Sequence, residues 1–598
     1  MNSSRMQKLW ILIVALSLWG LGYTESLSSP AVQDTMDQIV TRFYDTLTEE
    51  QLARLDDPTI QRLITDEERH VLASKYWCFE VNVPAIVSVM RDKAQSVVPF
   101  WLPDAGFTKT DLTIKNAEGW EYEVWQKKFD AGRVELGING FDKHRPHYFV
   151  GVAPQRPGAA LKLSNFIPKN QTVSELREGS LTYHDWTELV LTDVPEALRG
   201  QVLLTTIRGR AREAHLIGAF RKTPFPSSTR PDQVVLTWSE DPRTSQTIQW
   251  RTKPEIKDGL VRYREKGAAE GAAFVEAKAA CESLEDRLLA NDRYINRFNA
   301  VLRGLKPATA YLYSVGSPTS NTWSDEAEFI TAPDGPAPFT FVFMGDTHCS
   351  EDWGKLLTKA FERRPQTAFY MIGGDLVGTG LYRDEWDRFF QYSSTVFNRR
   401  PVVPCLGNHD DQDGLGAWMY CALFGVPENG PSGTEPEHVY SFEYENAIFI
   451  SIDVGSPLDV IAAWMEQQLA RTKALWKFVM FHFPPYAPGE DYPDIRQTWG
   501  AVFDKYHVDM VLSGHVHHYL RTYPIKNQKR VASPAEGTVY VVSIAIPDEE
   551  PGLVQPDYAA VMLNGVQLYQ TFDIDGGRLL FRAYDIQGRV HDELIIEK

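Results

Sequence analysis

The chain has 598 residues, of which 43% are hydrophobic and 12% aromatic, and its formal net charge is −18. This length is too great for one ordinary domain, and the apolar content is sufficient for several packed cores. The net negative charge argues against a nucleic-acid duplex as a partner, because binding to a polyanion requires concentrated lysine and arginine.

Residues 1–24 have the pattern of an export signal. Arg5 and Lys8 precede the apolar stretch 9–21, and small and polar residues follow it. This pattern predicts an exported protein (periplasmic, extracellular or surface-attached), with an uncleaved membrane anchor as the alternative. No later stretch is long and apolar enough to predict another membrane span.

Residues 25–76 have a helical pattern. Ile39 and Phe43 lie four residues apart on one apolar stripe, and the segments 48–51 and 65–68 have the sequence of capping boxes that open further helices. The segment is therefore predicted to be helical.

Residues 77–225 consist of short alternating runs that predict strands, as in 121–125 and 148–152. This stretch contains no chemical motif, and its scattered histidines suggest ordinary core or surface positions. We predict a β-rich accessory domain of unknown role; a carbohydrate- or surface-binding module is the alternative.

A proline-rich stretch, 223–231, has linker composition and precedes a second β-rich region. The runs 234–238 and 247–251 alternate as half-buried strands do. The segment 304–311 has the turn-then-tyrosine pattern of a tyrosine corner. Residues 231–331 therefore resemble a fibronectin type III-like β-sandwich, for which we predict a scaffolding role.

Residues 338–598 alternate strand and helix patterns, and five apolar runs are each followed by Asp, Asn or His. The runs are 339–344, 368–372, 401–406, 477–481 and 508–513. Continuous apolar runs indicate strands buried on both faces, and ligands of α/β sheets collect beyond the carboxyl ends of such strands. We expect the polar residues after these runs to meet at one site.

The polar residues after these runs form a set of oxygen and nitrogen donors. They are Asp346, His348, Asp375, Asn408, His482, His515 and His517, with His409 in addition. This set suits Fe, Zn or Mn, and it has too many members for one tetrahedral ion. Two ions about 3.5–4 Å apart that share one carboxylate would use all seven, and a bridging hydroxide between them would attack a phosphoester.

The order Gly-Asp-x-His, Gly-Asp, Gly-Asn-His-Asp, His and Gly-His-x-His resembles the calcineurin-like metallophosphoesterase family. The segments 481–486 and 514–524 resemble its purple acid phosphatase branch, in which a fibronectin III-like domain precedes the catalytic domain. The resemblance implies a multidomain α/β and β fold with an α/β/β/α catalytic sandwich. It also implies a metal-dependent hydrolase with two divalent or trivalent ions.

The resemblance assigns a role to each residue that matches a family motif. Asp346, His348 and His517 would hold the first metal, Asn408, His482 and His515 the second, and Asp375 would bridge them. His409 would face the phosphate or its leaving oxygen, oriented by Asp410 or Asp411. Apart from the resemblance, Asn408, His409, Tyr486 and Tyr519 are our candidates for contact with the substrate.

Two positions depart from the purple acid phosphatase pattern. Gly378 stands where the purple enzymes have a metal-binding tyrosine, so a purple ferric centre is not expected. Leu520 stands before Arg521 where a glutamate is common.

The leading functional hypothesis is hydrolysis of a small phosphate monoester. A phosphodiesterase acting on nucleotides or lipid headgroups is the second hypothesis, because the same metal pair serves both reactions. A non-catalytic exported binding protein is the third. The sequence leaves the metal pair, the substrate and the oligomeric state open.

Overall fold

The computed structural model describes residues 29–142, 146–169, 171–184, 186–269, 273–411 and 416–598. The export signal predicted for residues 1–24 lies outside these residues. The chain forms two compact units. Of the described residues, the first unit comprises those up to Lys222, Arg287–Asn291 and Gly416, and the second comprises Thr223–Asp286, 292–411 and Ala417–Lys598.

The first unit begins with short helices and continues in strands. Its helices are α1 (Pro30–Thr46), α2 (Glu49–Leu52), α3 (Asp57–Leu63), α4 (Asp66–Ser74) and α5 (Trp101–Asp104), with a 3₁₀ helix at Arg208–Arg212. Its strands are β1 (Trp77–Val81), β2 (Ala85–Asp92), β3 (Thr108–Asn116), β4 (Glu121–Phe129), β5 (Gly132–Leu136), β6 (Phe149–Pro154), β7 (Leu163–Ile167), β8 (Thr172–Glu175), β9 (Leu181–Tyr183), β10 (Trp186–Asp193) and β11 (Val202–Thr205). They form sheets in the orders β5-β1-β7 and β8-β11-β6-β2-β4-β3-β10-β9.

Both predicted capping boxes are present. At the start of α2 the Thr48 and Gln51 side chains each accept a hydrogen bond from the other residue's backbone N–H. Thr65 and Glu68 make the same exchange at the start of α4. Each exchange satisfies N–H groups that would otherwise lack partners at a helix start, so the local sequence sets these boundaries.

The second unit begins with two sheets that share one hydrophobic core. Their strands are β12 (Asp232–Thr237), β13 (Ser245–Thr252), β14 (Leu260–Glu265), β15 (Val275–Lys278), β16 (Ala280–Glu285), β17 (Tyr294–Arg303), β18 (Ala310–Ser317), β19 (Thr322–Trp323) and β20 (Ala327–Ile330). The orders are β12-β13-β17-β16 and β15-β14-β18-β19, with β20 also paired to β18. Trp250 of one sheet and Val315 of the other lie in the same core. The Tyr311 hydroxyl accepts a hydrogen bond from the Lys306 N–H at 2.9 Å.

The rest of the second unit contains two further sheets and several helices. The helices are α6 (Glu351–Arg363), α7 (Arg383–Phe397), α8 (Trp418–Leu423), α9 (Leu458–Arg471) and α10 (Pro493–Tyr506). The strands are β21 (Phe339–Met344), β22 (Phe369–Ile372), β23 (Val402–Pro404), β24 (Tyr440–Tyr444), β25 (Ala447–Ile452), β26 (Trp476–Phe481), β27 (Met510–Ser513), β28 (Tyr519–Thr522), β29 (Ile525–Lys526), β30 (Lys529–Arg530), β31 (Val539–Val542), β32 (Ala559–Leu563), β33 (Leu568–Asp575), β34 (Arg578–Asp585) and β35 (Val590–Glu597).

The two sheets pack face to face through aromatic side chains. Their orders are β23-β22-β21-β33-β34-β35 and β24-β25-β26-β27-β31-β28-β32, and β29 pairs with β30. Phe341 of the first sheet stacks on Phe369 and Phe572 and meets Phe449 and Phe478 of the second edge-on. The apolar runs noted in the sequence therefore lie between the sheets.

Helices cover the outer face of each sheet. Leu356 of α6 and Phe389 of α7 lie in the core of the first sheet. Trp464 of α9 and Trp499 of α10 pack with Val479 on the outer face of the second. The result is a helix–sheet–sheet–helix sandwich, and the mixed α/β and β fold predicted from the sequence is confirmed.

Two smaller observations follow from the described part of the chain. Within it, no helix has both the length and the apolar character that a membrane crossing requires. Cys405 and Cys421 are both free thiols.

A buried ion network in the second unit connects strand β13 to helix α7. Asp387 is 1% exposed. It accepts hydrogen bonds from Arg251 Nη1 and Gln233 Nε2, at 2.7 and 2.8 Å, and lies 3.4 Å from Arg383 Nη1. Arg251 also pairs with Asp232. The network replaces the hydration that these charges lose on burial, so its members depend on one another.

Asp387→Ala is expected to lower the free energy of unfolding by about 3–5 kcal/mol, because it leaves buried guanidinium groups short of a counter-charge. Urea denaturation followed by tryptophan fluorescence measures this change. Asp325→Ala is the control, because Asp325 pairs with Arg230 but is 95% exposed, and a loss within about 0.5 kcal/mol is expected there. Equal denaturation midpoints for the two variants would contradict the prediction.

Candidate metal centre

The loops that carry the predicted ligands follow strands of both sheets in the sandwich. Strands β21, β22 and β23 are parallel to each other in the first sheet, and β26 and β27 are parallel in the second. Parallel neighbours end at the same edge of a sheet, so the loops after each set of strands lie together. This topology brings residues from five distant parts of the chain to one place.

Asp346, His348 and His517 form a first group, with one ligand atom of each within 4.8 Å of the others. His517 Nε2 lies 3.4 Å from Asp346 Oδ2 and 3.4 Å from His348 Nε2. His348 Nε2 lies 3.9 Å from Asp346 Oδ2. The two imidazole nitrogens and the carboxylate oxygen therefore converge on one position.

Asp375, His482 and His515 form a second group by the same criterion. His482 Nε2 lies 3.1 Å from Asp375 Oδ2, and the His482 and His515 rings meet at a centroid distance of 5.0 Å. Asp375 Oδ2 is also 4.0 Å from His348 Nε2 of the first group. Asp375 thus lies between the groups, where a shared carboxylate would stand.

Among the described residues at this place, the buried Asn408 Oδ1 lacks a hydrogen-bond partner. Asp346 Oδ2 and His482 Nε2 face only other members of the two groups, at 3.4 Å from His517 Nε2 and 3.1 Å from Asp375 Oδ2. Buried polar atoms are nearly always paired, so an unpaired amide oxygen beside two such groups calls for another partner. Oxygen and imidazole nitrogen are the donors that Zn, Fe and Mn accept, and the residues present therefore fit a pair of such ions.

The backbone at this site is strained and tightly packed. His348, Asp375 and His515 have φ angles of 42°, 49° and 74°, a region that non-glycine residues seldom adopt. A Cβ atom on Gly407 would lie 2.2 Å from Asp375 Oδ1, and one on Gly514 would lie 2.1 Å from Asp346 Oδ1. The glycines of the Gly-Asn-His and Gly-His-x-His motifs therefore allow these loops to pack directly on the acidic ligands.

Neighbouring carboxylates raise the pKa of two histidines in these groups. The interaction with Asp346 raises the pKa of His517 to about 9, although burial opposes it. Burial lowers the pKa of His482, but Asp375 and Asp346 raise it to about 10. Because coordination requires neutral imidazole, metal uptake is expected to release protons from both rings.

His409 lies beside the two groups and belongs to neither. Its Nδ1 is 2.7 Å from the Gly378 carbonyl, which can only accept, so Nδ1 carries the hydrogen and donates it. Its backbone N–H donates to Asp375 Oδ1 at 2.9 Å, and its ring meets His348 edge-on at 5.0 Å. These contacts leave Nε2 as the nitrogen available to a bound molecule.

Comparisons with known proteins agree with this geometry. The model of the calcineurin-like phosphoesterase family matches residues 339–519. Residues 339–519, which match this family, are called the phosphoesterase domain below. The model of the purple acid phosphatase N-terminal domain matches residues 231–331. The narrower fibronectin type III-like assignment of this segment stays a prediction.

Similar proteins come from plants, mammals and bacteria. An uncharacterized protein of Mycobacterium tuberculosis is 26% identical, over 49% of this chain and 62% of that protein. Probable purple acid phosphatase 20 of Arabidopsis thaliana is 27% identical, over 49% of this chain and 69% of its own length. The purple acid phosphatase from yellow lupin seeds has a similar fold, with a TM-score of 0.54 and 16% identity over 86% of this chain and 90% of that one.

Asp410 does not have the role in the phosphoesterase domain that the sequence suggested. Its buried carboxylate accepts the backbone N–H groups of Leu376 and Val377, both at 3.2 Å, and of Gly407 at 2.9 Å. It therefore joins the loop after β22 to the loop after β23. The Gly378 carbonyl, rather than Asp410, orients the His409 ring.

The predicted substrate contact of Tyr519 is wrong. Tyr519 is fully buried in the core between the sheets, and its hydroxyl donates to Asp592 Oδ2 at 2.6 Å. The sequence could not show this, because the direction of a side chain on strand β28 depends on the register of that strand. Tyr486 packs against Tyr540 and Tyr558 at ring distances of 4.7 and 5.6 Å, and its contact with substrate stays a prediction.

Gly378 of the phosphoesterase domain adjoins a partly buried carboxylate. The Gly378 N–H donates to Glu385 Oε2 at 2.8 Å, and a Cβ at this position would lie 3.2 Å from the same oxygen. Burial raises the pKa of Glu385. The space next to the tyrosine position of purple enzymes is thus occupied here by Glu385.

Two carboxylates near the ligands were missed by the sequence reasoning. Asp548 contacts His517, and Glu490 contacts His515. The acidic run 548–550 after strand β31 was a signal that could have drawn attention to the first. No spacing rule connects either carboxylate to its histidine, because each lies on a different loop.

Proposed function

We propose that this protein is an exported phosphoesterase that requires two metal ions and hydrolyses phosphate monoesters. The observation that carries the proposal is the pair of neighbouring groups of candidate ligands, in which Asp375 Oδ2 of the second group lies 4.0 Å from His348 Nε2 of the first. The phosphoesterase domain supports hydrolysis of a phosphoester. The aligned relatives named acid phosphatases support the monoester class, as with acid phosphatase type 7 of mouse, which is 27% identical over 50% of this chain.

Residues of the chain itself hold the proposed proton donor, His409, in position. When bound, the two ions supply positive charge to the phosphoryl oxygens and lower the pKa of water, which makes it a nucleophile at neutral pH. Gly378 and Asp375 hold His409 by its Nδ1 and its backbone N–H. In its doubly protonated form, His409 keeps the Nδ1 hydrogen on the Gly378 carbonyl and can donate the Nε2 proton to the departing alcohol oxygen, which leaves the neutral ring.

Export rests on the sequence pattern of residues 1–24. Expression of the full chain, followed by fractionation and N-terminal sequencing of the product, tests this part. A mature N-terminus near residue 24 in exported material is expected. Intact chain held in the membrane fraction would instead favour an anchor.

Paired rates on two substrates test the reaction class. The metal-loaded full chain is expected to show a higher kcat/KM on p-nitrophenyl phosphate than on bis(p-nitrophenyl) phosphate. A chelator should abolish both rates, and added Zn, Fe or Mn should restore them.

Each other outcome of this experiment has a definite meaning. A higher kcat/KM on the diester would replace the proposal with a phosphodiesterase. Two bound ions without hydrolysis of either ester would favour a binding protein. A chain that takes up no ion would refute the metal centre itself.

A further inference from the structure

Two carboxylates each contact one ring nitrogen of a histidine in the two groups. Asp548 Oδ2 lies 2.6 Å from His517 Nδ1. Glu490 Oε2 lies 2.9 Å from His515 Nε2, and the Tyr492 hydroxyl also donates to Glu490. Neither carboxylate belongs to the two ligand groups, and each contacts a histidine of a different group.

The two histidines are held in opposite orientations. His517 Nε2 faces the first group, 3.4 Å from Asp346 Oδ2, so its Nδ1 is the nitrogen left for Asp548. On His515 the carboxylate occupies Nε2, so Nδ1 is the nitrogen left for the second group. The His515 backbone N–H donates to Asp346 Oδ1 at 2.7 Å, which anchors the backbone from which this ring extends.

A third carboxylate ties the same loop to the histidine segment. Glu550 accepts the backbone N–H of His517 at 2.7 Å and contacts His518 Nδ1 at 3.0 Å. The Glu550 backbone exchanges two hydrogen bonds with the Asn564 side chain, at 3.0 and 2.6 Å. Asp548 therefore approaches His517 from a loop that is itself anchored.

We propose that Asp548 and Glu490 are positioning residues that set the affinities of the two metal positions separately. Asp548 acts on the Asp346 group through His517, and Glu490 acts on the Asp375 group through His515. A carboxylate on the outer nitrogen selects one tautomer, fixes the ring and makes the inner nitrogen a stronger donor. The proposal rests on the metal-dependent function proposed above.

Metal titration of three variants tests this inference. Zn²⁺ is titrated calorimetrically into the metal-free full chain, and Asp548→Asn and Glu490→Gln are compared with Glu549→Gln. The last variant is the matched control for Asp548→Asn, because it removes the same charge from the same exposed loop, and among the described residues Glu549 has no hydrogen bond or ion pair with a histidine of the two groups. Asp548→Asn and Glu490→Gln are each expected to weaken one of the two Zn²⁺ binding events by about 10–100-fold. Glu549→Gln is expected to weaken neither binding event.

A His348→Ala background shows which position each carboxylate controls. This change removes a ligand of the first group and leaves the second group as the main site. In that background Glu490→Gln should weaken the remaining binding event, whereas Asp548→Asn should leave it unchanged. Asp548→Glu, which keeps the carboxylate, should recover affinity relative to Asp548→Asn in the otherwise unaltered chain.

The possible results separate this inference from the proposed function. If Asp548→Asn and Glu549→Gln weakened Zn²⁺ binding equally, the effect would come only from the charge of the loop, and the inference would be overturned. The inference would also be overturned if Asp548→Asn and Glu490→Gln weakened the same binding event, or if they weakened no binding event. The proposed metal-dependent function would stand in both cases. An unaltered chain that binds no Zn²⁺ would refute both. Thermal melting of the metal-free variants, with Asp548→Ala as a second truncation, distinguishes lost affinity from lost folding.

Discussion

Asp375→Ala is expected to remove metal from both positions and to lower kcat/KM by at least about 10³-fold, the equivalent of about 4 kcal/mol of transition-state stabilisation. Asp375 Oδ2 lies 3.1 Å from His482 Nε2 and 4.0 Å from His348 Nε2, so one side chain serves both groups. Its other oxygen accepts the His409 N–H. The substitution therefore removes a shared ligand and loosens the loop that carries Asn408 and His409.

Metal content per chain, measured by elemental analysis after dialysis, and kcat/KM on p-nitrophenyl phosphate give the two readouts. The control is Asp459→Ala, because Asp459 is exposed in the first turn of helix α9 and lies outside both groups. Retention of two ions per chain by Asp375→Ala would show that this carboxylate is not shared.

His409→Ala is expected to lower kcat by about 10²–10⁴-fold while the chain keeps two metal ions. His409 belongs to neither ligand group, and its Nδ1 is occupied by the Gly378 carbonyl. Its role is therefore to present Nε2 to the leaving oxygen. A proton donor matters most when the departing alcohol is a poor leaving group, so the loss should be larger for an alkyl phosphate than for p-nitrophenyl phosphate.

The test compares the loss of kcat on an alkyl phosphate with the loss of kcat on p-nitrophenyl phosphate. Metal content is determined in parallel. His70→Ala is the control, because His70 is exposed on helix α4 of the other unit. If His409→Ala lost metal and activity together, the residue would be a ligand. Equal losses on both phosphates would argue against proton donation.

Much of the phosphoesterase domain could be predicted because its strands are buried on both faces. Such burial requires continuous apolar runs, and strands β21 and β26 lie on the runs 339–344 and 477–481. The polar residues directly after the runs could be recognised because each one ends a continuous apolar run. Their assignment as metal ligands stays a prediction, although the structure places Asp346, His348 and His517 in one group and Asp375, His482 and His515 in another.

The contacts around the ligands could not be predicted in the same way. Asp548 follows its histidine by 31 residues, and Glu490 precedes its histidine by 25. The Asp410 carboxylate faces the backbone of another loop, and Tyr519 points into the core. None of these contacts follows a period or a spacing, because each depends on where a second loop or a strand register places its partner.

The sequence by itself determined the chemistry of this protein: which donor atoms are available, and that they follow buried strands. Local patterns suffice for this, because burial selects apolar residues and close packing selects glycine, as at Gly407 and Gly514. Only the tertiary structure decided which nitrogen of each histidine faces inward and which carboxylate holds the other. Those choices are made by hydrogen bonds between loops that meet only when the two sheets pack together.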